Sequence, residues 1–131
     1  MKAFLKRLEE VDRLQLPKGG YVIGGSGPLA IRGIRDAVDI DVLVKKQVWD
    51  ALNFQYTPEK NYLCIGSVEI GYEFLNLSPI LNEVIDNADI IEGYPFISLK
   101  HTILWKKHLN REKDQKDIAL IEKYQARSAL C

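Results

Sequence analysis

Two short motifs in the first third of the chain contain residue types suited to phosphate and metal chemistry. The first is GGSG at residues 24–27, and the second is DID at residues 39–41. Glycines allow a backbone to turn sharply and to approach a ligand closely. Paired carboxylates supply the oxygen ligands that hard divalent cations prefer. The two motifs together indicate a site that could hold a metal-bound phosphate compound.

The glycine motif is expected to form a turn at the end of a buried strand. The apolar residues 21–23 predict that strand, and Gly24, Gly25 and Ser26 follow it. Pro28 is favoured in the first turn of a helix. The free backbone N–H groups and the positive dipole end of that helix would then favour a phosphate beside the turn. An ordinary connecting turn is the alternative explanation.

The acidic motif is expected to hold two carboxylates on one side of a strand. Side chains alternate across a strand, so Asp39 and Asp41 should share one face while Ile40, Val42 and Val44 fill the other. Carboxylates about 7 Å apart repel each other unless cations or hydrogen-bond donors lie between them. Oxygen ligands favour Mg²⁺ or Mn²⁺ over zinc. A solvated strand face is the alternative explanation.

The composition is that of an ordinary globular protein. The 131 residues include 18 basic and 18 acidic ones, so a polyanion would have to be held by a local patch. We expect a single domain over residues 1–131. The sequence has no apolar run near the roughly 18 residues of a membrane span, and Cys64 and Cys131 indicate neither a disulfide framework nor a metal site. We therefore expect a cytoplasmic protein that does not bind membranes.

The hydrophobic pattern predicts an α/β or α+β domain in which helices flank a mixed β-sheet. Ser78 and Ser98 are the predicted caps of two of the helices. We expect Trp49 and Trp105 in the core, and His101 and His108 on a helix surface. The predicted helices cover residues 2–14, 29–34, 45–54, 79–85, 99–109 and 112–126. The predicted strands cover residues 21–23, 39–44, 62–65 and 68–75, with an extended segment at 89–97 that turns at residue 93.

Two parts of the chain resemble a known family. Gly24-Gly25-Ser26 after a strand, then twelve intervening residues, then Asp39-Ile40-Asp41 is similar to the signature of the DNA polymerase beta-like nucleotidyltransferase superfamily. The segment SLKHTILWKKHLNREKDQKDIALI at 98–121 resembles the C-terminal part of small bacterial nucleotidyltransferase-like proteins. The matching positions in that segment are Lys106, Arg111, Lys113, Asp114, Asp117 and Ile118.

The resemblance implies both a reaction and roles for the motif residues. Members of the superfamily transfer a nucleoside monophosphate from a nucleoside triphosphate to a hydroxyl or similar acceptor and release pyrophosphate. By this resemblance, Gly24, Gly25 and Ser26 hold the triphosphate, while Asp39 and Asp41 bind Mg²⁺ or Mn²⁺. One cation aligns the phosphates, and the other lowers the pKa of the attacking hydroxyl.

The resemblance also implies a third acidic residue from the neighbouring strand. Glu73 is the first choice because the sequence YEFLN matches the family pattern of an acid followed by apolar residues. Glu69 would share its face of the strand and remains an alternative. Glutamate replaces the commoner aspartate in either case, and its extra methylene would shift the acceptor-side metal.

Basic residues are expected to contribute to phosphate binding. By the resemblance, Lys106 and Lys113 lie near the triphosphate or the acceptor phosphate. A solvated helix surface is the alternative, in which Lys113 pairs with Asp117 four residues later. Arg32 and Arg35 lie between the two motifs, where either could contact a phosphate or face solvent.

The predicted function is that of a metal-dependent nucleotidyltransferase acting on a triphosphate such as ATP. The family analogy allows an RNA end, a small molecule or a protein as the acceptor. A partner protein or a second copy of the chain could supply the surface that binds it. The alternative is a weak or inactive module that binds a nucleotide or a partner without transfer, which the glutamate at the third acidic position would explain.

Overall fold

A computed structural model describes residues 2–53, 56, 62–73 and 75–130. These residues form six α-helices, one 3-10 helix and one six-stranded sheet. The α-helices are α1 (Lys2–Arg13), α2 (Gly27–Ile31), α3 (Lys46–Leu52), α4 (Leu81–Asp86), α5 (Leu99–Leu109) and α6 (Glu112–Leu130). The strands are β1 (Tyr21–Gly24), β2 (Ile40–Val44), β3 (Tyr62–Ile65), β4 (Val68–Gly71), β5 (Asp89–Ile91) and β6 (Tyr94–Phe96), and the 3-10 helix spans Leu75–Ile80.

The sheet is mixed, as predicted, and its two central strands are the ones next to the two motifs: β1 runs into the glycine turn, and β2 contains Asp41. Its order is β3-β4-β2-β1-β6-β5. Strand β1 is antiparallel to β2, whereas β2 is parallel to β4 and β1 is parallel to β6. Antiparallel hairpins form both edges. The prediction of an α/β domain with flanking helices is therefore confirmed, and the glycine turn lies beside the strand with the acidic motif.

Helices cover both faces of the sheet, which explains the residue alternation in β2. Ile40, Val42 and Val44 pack with Phe4, Leu8 and Val11 of α1 and with Trp49 of α3 in one core cluster. Leu43 belongs to a second cluster, with Val22 of β1, Leu77, Val84 of α4 and Ile97. Asp41 shares the face of Leu43. Asp41 therefore lies opposite the face of Ile40, Val42 and Val44, as predicted, although Leu43 shares its face. Asp39 lies just before β2, so the strand itself carries only one of the two predicted carboxylates.

Several predicted boundaries differ from the structure. Strand β4 ends at Gly71 rather than at residue 75, because its pairing stops where Gly71 lies opposite Tyr62, the first residue of β3. Ser78 does not cap a helix, since it lies within the 3-10 helix with Pro79, and α4 begins afterwards. The predicted helix residue Phe54, the loop at 57–58 and the strand residue Phe74 lie outside the described residues.

Helix α5 has the predicted ends, but the side chains that it buries differ from those expected. Ser98 accepts a hydrogen bond from the N–H of His101 at 3.1 Å, and the helix stops at Asn110, which has φ +49°. His101 is buried, so its expected surface position is wrong, whereas His108 is exposed. The apolar residues Leu99, Ile103, Trp105 and Leu109 are only half-buried. The buried side chains are instead polar: His101 and Thr102 bond to Ser98, and Lys106 pairs with Asp114 and Asp117 of α6.

Candidate active site

A cavity of about 590 Å³ lies between the glycine turn, the parallel strands β2 and β4, and helices α5 and α6. All predicted site residues except Gly24 line it. Seven acidic residues line the cavity: Asp36, Asp39, Asp41, Glu69, Glu73, Asp114 and Asp117. Four basic residues also line it: Arg35, Lys106, Arg111 and Lys113. Among the described lining residues, acidic groups therefore exceed basic groups by three.

Gly25 lets the glycine turn lie directly against Asp41. Gly24 is opposite Asp41 in the pairing of β1 with β2, and Gly25 has φ +59°. A Cβ atom at Gly25 would overlap Oδ2 of Asp41. Both the backbone conformation and the available space therefore require glycine here. The turn and the second carboxylate of the acidic motif are immediate neighbours.

Asp41 lies in a crowded group of carboxylates. Burial, followed by the charge and hydrogen bond of Glu69 and by the charge of Asp39, raises the pKa of Asp41 to about 6. The positive charge of Lys106 acts in the opposite direction. A cation among these carboxylates would favour their ionised forms and remove the repulsion.

Glu69 and Glu73 differ in their position relative to Asp41. Glu69 lies directly beside Asp41 in the parallel pairing of β2 with β4 and is hydrogen-bonded to it. Glu73 lies two residues beyond the end of β4 and is exposed at the same cavity. Of the two acidic residues predicted as the third ligand, Glu69 is thus the one bonded to Asp41.

The donor atoms around Asp41 fit Mg²⁺ or Mn²⁺ in their chemistry. The acidic side chains supply only oxygen, which these cations prefer. Within the described residues, no three acidic, histidine or cysteine side chains are already arranged to hold one metal ion. Mg²⁺ is usually held by one or two carboxylates together with phosphate oxygens and water. The neighbouring carboxylates Asp41 and Glu69 match that number of protein ligands.

A buried ion-pair cluster joins α5 to α6 at the opposite side of the cavity. Lys106 Nζ lies 2.9 Å from Asp117 Oδ2 and 3.9 Å from Asp114 Oδ1, and the three side chains are at most 7% exposed. Asp114 also accepts hydrogen bonds from the backbone N–H and the guanidinium of Arg111. Burial alone would raise the pKa of both aspartates, but their hydrogen bonds and the nearby positive charges hold both pKa values below the usual range. Lys106 is therefore buried between α5 and α6 rather than exposed on a solvated helix surface.

Arg35 connects this cluster to the glycine turn. Its Nε lies 2.6 Å from Asp117 Oδ1, and its Nη2 lies 2.7 Å from Asp117 Oδ2. The same Nη2 donates to Ser26 Oγ at 2.7 Å. The hydrogen bond to Asp117 raises the pKa of Arg35. The hydroxyl that was predicted to contact phosphate is therefore bonded to Arg35.

Lys113 is the basic residue of the cavity most accessible to a ligand. Arg35, Lys106 and Arg111 each form an ion pair with an aspartate. Lys113 is exposed, and among the contacts of the described residues it forms no ion pair. The alternative pairing of Lys113 with Asp117 is wrong, because Asp117 is held by Arg35 and Lys106 instead.

The two tryptophans have different surroundings. Trp49 is buried, as predicted, and its ring centroid lies 5.0 Å from that of Tyr72. Trp105 is half-buried, packs against the second core cluster and lines the cavity, with Lys106 Nζ 5.1 Å from its ring centroid. Trp105 therefore lies at the boundary between the core and the candidate site.

The sequence did not predict the contacts in this site between residues that are far apart in the chain. Asp114 and Asp117 lie three residues apart, which places them on one face of α6, but this pattern does not reveal that the face is buried. Arg35, a partner of Asp117, lies 82 positions away from it in the chain, beyond the reach of any local pattern. Arg32, the other arginine considered for phosphate contact, binds Asp89 at 2.7 Å and does not line the cavity.

Among the described residues, no helix combines the length and apolar character needed to cross a membrane. Comparisons with protein-family models, curated proteins and solved structures found no significant match.

Proposed function

We propose that this protein uses Mg²⁺ or Mn²⁺ to transfer a nucleoside monophosphate from a nucleoside triphosphate to a hydroxyl or similar acceptor. The proposal is carried by one observation: the glycine turn lies against Asp41, beside Glu69, in a single cavity. Phosphate and metal must be adjacent for an in-line displacement. The resemblance of both motifs to the nucleotidyltransferase superfamily supports the same reaction.

The charge of the cavity explains why the reaction should require metal. With three more acidic than basic groups in its described lining, the cavity would repel a triphosphate. Two divalent cations would reverse that excess and bridge the carboxylates to the phosphate oxygens. We therefore expect triphosphate binding itself, and not only turnover, to depend on a divalent cation.

The cavity residues have distinct roles in this scheme. Asp39 and Asp41 would hold the cations, whose positive charge would align the phosphates and lower the pKa of the acceptor hydroxyl. As the acceptor oxygen bonds to the α-phosphorus, Glu69 or Glu73 accepts its proton. The bond to the bridging oxygen breaks and pyrophosphate leaves, with Lys113 offsetting part of its charge.

Transfer can be tested with triphosphates labelled at the α-phosphate. Each of the four common ribonucleoside triphosphates is incubated with the protein, Mg²⁺ and a cell extract that contains RNA, proteins and small molecules. We expect at least one of them to label an acceptor, and EDTA to abolish the labelling. Absence of both metal-dependent triphosphate binding and label transfer would contradict the proposal.

A nucleotide-binding module without transferase activity is the second candidate. It is favoured by the hydrogen bond from Arg35 to Ser26 Oγ. It is also favoured by the ion pairs that already engage three of the four basic side chains in the described lining of the cavity. Calorimetry separates the two functions. Metal-dependent triphosphate binding without label transfer would support the binding module.

A further inference from the structure

Helix α1 contacts three separate segments of the candidate site through one line of side chains. Phe4, Arg7 and Glu10 follow one another at intervals of three residues, which places them along one side of a helix. They contact, in that order, the glycine turn, the loop before β2 and the turn before β4. These segments carry the glycine turn, which is expected to hold phosphate, and the carboxylates that are expected to bind the metal.

Phe4 packs beneath the glycine turn. Its side chain is 1% exposed, and its ring centroid lies 6.3 Å from that of Phe96. A Cβ atom added to Gly27 would lie 3.4 Å from Cζ of Phe4 and 2.7 Å from Cγ2 of Ile23. The end of the turn therefore rests closely on both α1 and β1.

Arg7 holds the backbone immediately before the acidic motif. Its Nη1 donates a hydrogen bond to the carbonyl oxygen of Val38. Val38 directly precedes Asp39 and lies outside strand β2. Because the donor is charged, this bond is stronger than one between neutral groups. The contact limits movement of the backbone that carries Asp39.

Glu10 holds the turn that leads into β4. Its carboxylate accepts hydrogen bonds from both the backbone N–H and the hydroxyl of Ser67. The adjacent Gly66 has φ +61°, and a Cβ atom there would overlap Oε1 of Glu10. The carbonyl oxygen of Ser67 in turn accepts the N–H of Ile40 at 3.3 Å. The beginnings of β4 and β2 are therefore connected to each other and to α1.

We propose that Arg7 and Glu10 are positioning residues that fix the backbone segments from which Asp39, Asp41 and Glu69 reach a divalent cation. This inference rests on the proposed function. Neither residue lines the cavity, and their contacts end one residue before Asp39 and two residues before Glu69. A metal site requires ligands fixed by supporting contacts. Helix α1 supplies those contacts to both carboxylate-bearing strands.

The docking of α1 depends mainly on other residues. Phe4, Leu8 and Val11 are at most 2% exposed and pack in the first core cluster, whereas Arg7 and Glu10 are only half-buried. Replacing Arg7 or Glu10 should therefore leave the helix in place while the beginnings of β2 and β4 become less ordered.

Mn²⁺ binding to the whole chain, measured by calorimetry, tests this role. We expect Arg7→Met and Glu10→Gln each to weaken binding about tenfold, as loss of a supporting contact to a metal ligand does. Arg7→Lys keeps a charged donor and should recover part of the affinity. Lys6→Met and Glu9→Gln change the charge of the same helix at exposed positions and should bind Mn²⁺ as the wild type does.

Amide hydrogen exchange gives a second readout that does not need metal. In Glu10→Gln the N–H of Ile40 should exchange faster, while the amides of β1 keep their wild-type rates. Unchanged Mn²⁺ affinity in both Arg7→Met and Glu10→Gln would overturn the positioning role, as would an equal loss in the two control variants. Absence of Mn²⁺ binding to the wild type would instead contradict the proposed function. In that case an unchanged exchange rate at Ile40 would overturn the positioning role separately.

Discussion

Asp41 and Glu69 lie directly beside each other on the parallel strands β2 and β4, and their side chains share a hydrogen bond. Two carboxyl groups can share a hydrogen bond only when one of them carries a proton. The glycine turn closes over the same carboxylate, because Gly25 leaves room for it. A divalent cation placed here would compete with the proton that the raised pKa of Asp41 favours, which links metal binding to pH.

Asp41→Asn should stabilise the metal-free protein at neutral pH. The pKa of Asp41 is raised from 3.8 to about 6, so between these values the folded state binds a proton that the unfolded state has lost. The free energy of unfolding contributed by Asp41 therefore decreases as the pH rises through this range. With EDTA present, urea unfolding at pH 7 should show the variant about 2 kcal/mol more stable.

The pH dependence is the control for this prediction. As the pH falls below the unfolded-state pKa of 3.8, the unfolded state also gains the proton, and most of the advantage of Asp41→Asn should disappear. A variant less stable than the wild type at pH 7 would contradict the raised pKa. If the variant keeps the same stability advantage at pH 3.5, that advantage has a cause other than the ionisation of Asp41.

Glu69→Gln should weaken Mn²⁺ binding more than Glu73→Gln. Glu69 is bonded to Asp41, whereas Glu73 lies beyond the end of β4. Calorimetry at pH 7.5 should show a loss of about tenfold or more for Glu69→Gln. The opposite order would assign the third ligand to Glu73.

Asp117→Asn should destabilise the fold. Asp117 is 7% exposed and binds both Lys106 and Arg35, so its removal leaves a buried ammonium without its closest anion. Removing one partner of a buried ion pair costs about 3 kcal/mol or more. Urea unfolding at pH 7 measures this change. Glu112→Gln, on the exposed side of α6, should change stability by less than about 0.5 kcal/mol, and an equal effect of the two changes would contradict the role of the cluster.

Lys113→Gln should raise the KM for the triphosphate without changing stability. Lys113 is exposed at the cavity, and one charge-assisted hydrogen bond to phosphate corresponds to about a tenfold change in affinity. Lys116→Gln is the matched control, since Lys116 is 73% exposed and pairs with Glu112. Steady-state kinetics with the substrate found by labelling measure the effect. Equal KM values for the two variants would show that Lys113 does not contact the triphosphate.

Local patterns were sufficient to predict the centre of the sheet and several helix ends. Three predicted features depend only on neighbouring residues, and all three occur in the structure. They are the apolar strand that ends at Gly24, the alternation of side chains on either side of Asp41, and the helix cap at Ser98. The sequence also predicted that Lys106 and Lys113 lie on two consecutive helices, as they do in α5 and α6. These features are set by backbone preference and by hydrophobic period, both of which can be read from a few consecutive residues.

The features that the sequence did not predict depend on distant partners. The buried Lys106 pairs with Asp114 and Asp117 of the next helix, and Asp117 is also bound by Arg35 from the other half of the chain. The early end of β4 depends on its pairing with β3. The 3-10 helix at Leu75–Ile80 replaced the expected cap at Ser78. In the first two cases a tertiary contact overrode a local preference.

The rate of label transfer from the triphosphate in the presence of Mg²⁺ tests the central claim most directly. It should be compared among the wild type, the double variant Asp39→Asn/Asp41→Asn and the control Asp50→Asn, an exposed change on α3. We predict that the double variant loses about a hundredfold or more of the rate while remaining folded, and that the control keeps the wild-type rate. Transfer by the double variant at the wild-type rate would contradict a role for these carboxylates in the reaction.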